Sequence, residues 1–252
     1  MSENSSNSTV PAQPLLRRIG FALTAAVWIV IIYFAASFLS VLLLRVMITI
    51  GVPVSSLGEN VLAFVINALT WAIMLLLLII PLKKWKIVPK VKQEFGIERL
   101  LSWSDIGVAL LAFIPYLILA SVFASVATML LPGYNAGQSQ DVGFSELSNR
   151  FELLLAFVAL VVAAPIIEEV IFRGFLFSRL KKHLGVILSI IGTSLVFAVL
   201  HMQLNVGVDV FALSIVLCLL RIVTGSIWAG VILHMTKNAL AFFILFVYPM
   251  IQ

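Results

Sequence analysis

Charged residues divide this sequence into long apolar stretches. None lies between Arg18 and Arg45, between Glu59 and Lys83, or between Asp105 and Asp141, although the last stretch turns polar after Leu131. A helix crossing a bilayer needs about 20 mostly apolar residues, so these stretches predict three transmembrane spans. Four further apolar segments, residues 151–177, 184–204, 208–220 and 226–247, are interrupted by charged or imidazole side chains. The third of these, 208–220, is short for a full crossing and predicts a tilted or partial helix buried by its neighbours. The expected fold is therefore all-α, a polytopic transmembrane helix bundle of seven spans, with eight as the upper bound.

The first apolar stretch is too long for the core of a signal peptide, about 7–15 residues, and no small-residue cleavage site follows it, so it reads as a retained span. Residues 2–9 are polar and of low complexity, which predicts a disordered cytoplasmic tail over 1–15. Residues 16–252 then form a single integral membrane domain.

Composition agrees with this pattern. Of 252 residues 62% are hydrophobic and 11% charged, against roughly 45–50% and about 25% in soluble domains. The net charge of +5 does not indicate nucleic acid, because the basic residues gather in loops. Lys83, Lys84, Lys86, Lys90, Lys92 and Arg99 follow the second span, and Arg179, Lys181 and Lys182 follow the fourth. The loop after the third span carries Asp141 and Glu146 against Arg150. The positive-inside rule puts the N-terminus and both basic loops in the cytoplasm, most simply at the cell membrane, and seven spans put the C-terminus outside. The single cysteine, Cys218, excludes an internal disulfide and a cysteine-based zinc cluster; it reads as bilayer-facing or as packing filler.

Ionisable residues inside a span cost about 2.5–3.5 kcal/mol each and are functional candidates by default. They concentrate in the C-terminal half: Glu168, Glu169 and Arg173 in the fourth segment, His201 in the fifth, and His234 and Lys237, followed by the polar Asn238, in the seventh. Glu169 and Arg173 are four residues apart with the acid first, the favourable order for an ion pair. Glu168 lies about 100° around the helix and has no basic partner at that spacing, which leaves it free for chemistry. A desolvated carboxylate makes a capable general base or acid. His234 and Asn238, also four apart, can point at one target. Counting 1.5 Å per residue, Glu168 lies about 18 Å from Leu180 and Asn238 about 18 Å from Ser226, whereas His201 comes out about 27 Å from His183, roughly 9 Å too deep.

Three ordered motifs, Glu-Glu-x-x-x-Arg, Phe-x-x-x-His and His-x-x-x-Asn, run from Glu168 to Asn238. Together with Phe172-Arg173-Gly174 and Thr224-Gly225-Ser226-Ile-Trp228, they resemble the CPBP family of CAAX-prenyl proteases and bacteriocin-processing or immunity proteins, also called Abi. The likeness covers about 153–246, a core of about 150–247, while the first 150 residues add only hydropathy. It implies an intramembrane glutamic-type endopeptidase. Glu168 would activate a water with help from His201, His234 and Asn238 would stabilise the oxyanion, and Glu169 and Arg173 would support them. The implied partners are the bilayer and a membrane-associated peptide or protein, prenylated or a peptide precursor; no nucleic acid and no cofactor are implied. Lys237 departs from the pattern, since an uncharged residue is expected beside Asn238. It stands three residues from His234 and within reach of Glu168 or Glu169.

Plainer readings compete. The Glu168, Glu169 and Arg173 group also suits a buried cluster that fastens helices, and Asn238 an interhelical hydrogen bond. His201 alone suits a packed histidine. His183 is expected at the interface, and Asp209 and Arg221 at segment ends. Trp85, Trp103 and Trp228 suit interfacial anchors, and Pro115 and Pro165 suit bends. Two glutamates and two histidines also suit zinc, but His-Glu-x-x-His is missing, as is Gly-x-Ser-x-Gly. Two further functions remain as alternatives: a non-proteolytic immunity or binding protein of the same fold, and a proton-coupled transporter, for which no internal repeat is visible.

Overall fold

The computed structural model describes residues 14–250 apart from 87, 145 and 148. The expected tail, 1–15, lies outside the described residues except for its last two. Among the described residues six helices are long and apolar enough to cross a membrane: α1 (Leu15–Thr49), α2 (Glu59–Lys84), α4 (Trp103–Leu130), α5 (Arg150–Leu184), α7 (Leu204–Thr224) and α8 (Trp228–Met250). A short α3 (Val91–Phe95) follows α2, and α6 (Val186–Val199) lies between α5 and α7. No strand occurs among the described residues. The chain is an integral membrane helix bundle, with the seven apolar helices that the hydropathy pattern predicts.

The partial helix is not the expected one. Residues 208–220 belong to the 21-residue α7. The segment at 184–204 supplies only 14 helical residues, about 21 Å, too few for a hydrocarbon core of about 30 Å. Gly185, at φ 81°, breaks the chain from α5, and Met202, at φ 55°, turns it into α7. Asp209 does not mark a segment end either. It sits inside α7, where partners from two other helices hold its carboxylate, so its charge need not stop the helix. Arg221 does lie in the last turn of α7.

α1 shows how the bundle is packed. Its buried positions, Ala22, Ala25, Ile29, Ile32, Ala36, Ser40 and Leu44, recur every three or four residues and form one stripe. Phe34 and Phe38 face outward, as apolar residues do where the surroundings are lipid. The small residues let helices approach closely, and α1 packs on α2 and α5 along this stripe. One apolar core joins α1, α2, α5 and α6, including Ile29, Leu78, Phe172 and Phe197. A second joins α4, α7 and α8, including Ala112, Leu217 and Leu233. α5 runs between them, with Val161 against Phe242 of α8.

At the basic end of the bundle α3 is bound tightly to α5. Glu94 pairs with Arg179 at 2.5 Å, and the Ser178 hydroxyl donates to the Glu94 carbonyl. Gly174 allows this approach, since a methyl group there would lie 3.1 Å from the Phe95 ring. α4 opens with a capping box, Ser102 and Asp105, and Arg99 completes it through a bidentate pair with Asp105. At the opposite end the polar loop before α5 folds over the start of α7: Asn205 and Gln203 donate their side-chain amides to the carbonyls of Gln138 and Ser139.

Candidate active site

The backbone of α5 is not a uniform α-helix. Its turns at Val158–Ala163 and Glu169–Leu176 are π-helical, and between them one α-helical turn, Ala164–Glu168, holds Pro165 and Glu168. Such wide turns are rare and occur frequently at functional sites. Pro165 bears on the first of them. In the π register the Leu160 carbonyl would bond to residue 165, which as proline has no N–H. Asn238 of α8 supplies the missing donor, its Nδ2 standing 2.9 Å from that carbonyl oxygen.

Glu169 and Arg173 form a fully buried ion pair, Oε1 to Nη1 at 2.9 Å. The same carboxylate oxygen accepts from Nδ1 of His234 at 3.2 Å. The other oxygen, Oε2, has no hydrogen-bond partner among the described residues and faces Gly230, where a methyl group would come within 2.8 Å of it. The Arg173 guanidinium lies over the Phe197 ring, 4.7 Å from its centroid, a favourable cation–π arrangement. Phe197 also meets His201 edge-on at 4.8 Å and His234 at 5.9 Å. One ring thus spaces all three cationic or imidazole groups, a role that its place in the Phe-x-x-x-His motif does not reveal.

Glu168 points the other way. Its carboxylate is about a quarter exposed and stands 3.7 Å from Nε2 of His234, too far for a hydrogen bond. It borders a cavity of about 370 Å³ that His201 also borders. The opposite wall comes from α1 and α2, with Tyr33, Ser37, Asn67, Thr70 and Trp71. The first 150 residues therefore contribute more than hydropathy. Their signal in the sequence is a set of polar side chains at helical spacing within otherwise apolar spans. His234 and Asn238 do not border the cavity; His234 sits behind Glu168, and Asn238 is bound to the turn that precedes it.

The depth discrepancy for His201 has a simple origin. Helix counting from His183 ignores the break at Gly185, and His201 lies beyond the end of α6, in the turn that leads to α7. Its Nδ1 is 2.8 Å from the Phe197 carbonyl. A carbonyl only accepts, so Nδ1 carries the proton and Nε2 is the free nitrogen. The same logic applies to His234, whose Nδ1 faces a carboxylate. In both neutral rings Nε2 is an acceptor.

Lys237 does not pair with either glutamate. Its ammonium is 3.2 Å from Asp209 of α7, and the other Asp209 oxygen accepts from the Tyr116 hydroxyl of α4 at 2.8 Å. Cys218 is fully buried rather than bilayer-facing. Among the described residues no group of three His, Cys, Asp or Glu side chains is arranged to hold a metal ion. A larger groove, about 580 Å³ between α4, α6 and α7, is lined by apolar side chains such as Phe123, Leu195 and Phe211 and has no titratable residue on its walls.

The membrane-embedded bundle thus gathers two glutamates and two histidines beside a cavity of about 370 Å³. Residues 150–240, which carry these groups, match the family model of the type II CAAX prenyl endopeptidases, described as Rce1-like. The family resemblance drawn from the three motifs is borne out for this segment. No curated protein and no solved structure matches the chain.

Proposed function

We propose that this protein is an intramembrane endopeptidase in which Glu168 activates a water to hydrolyse a peptide bond of a membrane-associated substrate. The observation that carries this reading is the shared cavity of Glu168 and His201. Glu168 and His201 both border it, and a water there can give its two hydrogens to the Glu168 carboxylate and to His201 Nε2. Glu168 takes the proton as the water oxygen attacks the carbonyl carbon, and returns it to the departing amine. Positioned acid–base groups of this kind contribute about 10²–10⁴-fold to a rate.

The oxyanion needs donors where charge develops; His234 and Asn238, which do not border the cavity, act instead from behind Glu168, His234 through its contact with Glu169 and Asn238 through the Leu160 carbonyl. Glu169 and Arg173 act through His234 and Phe197 as positioning residues. The polar side chains of α1 and α2 supply hydrogen bonds for the extended backbone of a substrate, which has unpaired amides in a bilayer.

The test uses the purified full chain in detergent with a quenched fluorescent peptide ending in a prenylated cysteine motif, and the same peptide without the lipid. Wild type is expected to cleave at least one of them, and Glu168→Gln to lower kcat by about 10²–10⁴-fold while leaving the unfolding temperature within the range of a surface substitution. Undiminished cleavage by Glu168→Gln would sink the proposal. Inertness of wild type toward both peptides, and toward the membrane proteome of its own cells, would move the assignment to a binding or immunity role.

A further inference from the structure

At the basic end of the bundle, away from the glutamates, a second cavity of about 220 Å³ is bordered by Phe21 of α1, Trp85 at the end of α2, and Arg179, Lys182 and His183 of α5. Three elements build it. The Arg18 guanidinium donates to the His183 carbonyl at 2.7 Å, and the His183 ring stacks on Phe21 at 5.2 Å. Trp85 stacks on Phe175 at 5.9 Å and carries the Arg179 guanidinium 5.8 Å above its ring. Arg179 is nine-tenths buried, so at least one cation is held in place rather than free on the surface.

The charge here is one-sided. The charged groups acting on the His183 ring are Arg179, Lys182 and Arg18, all cations. Arg17 lies over Phe21, and Lys83 and Lys84 end α2 nearby in sequence to Trp85. The acid that enters this region, Glu94, is already paired with Arg179. Cations in the last turn of α5 complement the helix dipole, which accounts for Lys181, Lys182 and His183 on their own. It does not account for an aromatic-floored cavity, nor for Arg17 and Arg18 arriving from another helix.

We propose that this cavity binds the phosphate group of an anionic membrane lipid. Basic pockets between helices at the membrane surface suit such headgroups. The Phe21 and Trp85 rings suit the boundary between headgroup and acyl chain. The lipid would tie the start of α1 to the end of α5, and α1 also carries Tyr33 of the Glu168 cavity wall. The site stands whether or not the protein is a protease, because it involves none of the residues of that reading.

Binding is read on the purified full chain in a neutral detergent, by native mass spectrometry and by the unfolding temperature, with phosphatidylglycerol, phosphatidylcholine and inorganic phosphate as three separate additions. Phosphatidylglycerol is expected to bind and raise the unfolding temperature, and phosphatidylcholine to do neither. Lys182→Gln, at an exposed position on the cavity, is expected to weaken phosphatidylglycerol about fivefold, the worth of one cation near a lipid surface. Lys181→Gln, which removes the same charge beside the cavity, is expected to leave binding unchanged. Equal binding of both lipids, equal effects of the two substitutions, or binding of inorganic phosphate without any preference for phosphatidylglycerol would each overturn the proposal.

Discussion

Phe197 shows most directly how single side chains hold this site. Its ring is in contact with the Arg173 guanidinium and with the edges of two imidazoles, and it is almost fully buried. Phe197→Leu keeps most of the volume but loses the π face. It is expected to cost about 2 kcal/mol in stability, the worth of a desolvated cation–π contact, and to lower turnover, which parallel melting and peptide-cleavage assays would show. Gly230 is a second such position. The methyl of Gly230→Ala would meet Glu169 Oε2 at 2.8 Å, pushing the carboxylate away from either His234 or Arg173. The buried pair itself is costly to break: Arg173→Met alone should destabilise by about 3–5 kcal/mol, because it strands an unpaired carboxylate. Adding Glu169→Gln should recover part of that loss in a denaturant titration. Much of this was legible at the residue level: the i,i+4 spacing identifies the Glu169–Arg173 pair without coordinates. The contact between His234 and Glu169 was not, since it joins residues 65 apart and depends on how α8 packs on α5.

At the scale of the helix, α5 is decided by Pro165. A proline in a helix interior removes one backbone donor, and here the register widens and Asn238 supplies the replacement. Asn238→Ala would leave the Leu160 carbonyl without a partner, at about 1–3 kcal/mol. Asn238→Asp, with no donor in its ionised form, should behave no better. Pro165→Ala restores the backbone N–H. It is expected to raise the melting temperature while lowering activity, because Glu168 stands in the turn that follows; a rise in both would contradict the link between the wide turn and the site. The sequence pattern places a bend near Pro165 but not the π register, because that register depends on a donor from another helix. The same limit explains the misplaced partial helix. Hydropathy treats Asp209 as an interruption, yet its charge is met by Lys237 and Tyr116, and α7 runs through it.

Across the whole molecule the Tyr116, Asp209 and Lys237 contacts join α4, α7 and α8, the three helices of the second core. Lys237→Met or Asp209→Asn alone should lower the unfolding temperature, Asp209→Asn the more, because it leaves the largely buried Lys237 ammonium without its charged partner. The double variant should lose less than the sum of the two, as interacting pairs do. Additive losses in that cycle would mean the two groups do not sense each other. The assembly also divides labour between the halves of the chain. Residues 150–240 carry the family likeness and the titratable groups, while α1 and α2 close the cavity over Glu168.

The sequence by itself determined the solvent, the helices and the chemical inventory. Long uncharged stretches can only be satisfied in lipid, and rare intramembrane charges stand out against them. Spacing along one helix also divided the two glutamates, binding Glu169 to Arg173 and leaving Glu168 apart. The tertiary structure decided everything that joins one helix to another: the cavity shared by Glu168 and His201, the tautomers of both histidines, the partner of Lys237 and the donor that fills the gap left by Pro165. Periodicity reports which face of a helix is apolar, but in a bundle apolar on all sides it does not say which face meets which neighbour. That choice falls to small residues, wide turns and paired polar groups, whose partners lie far away in the chain.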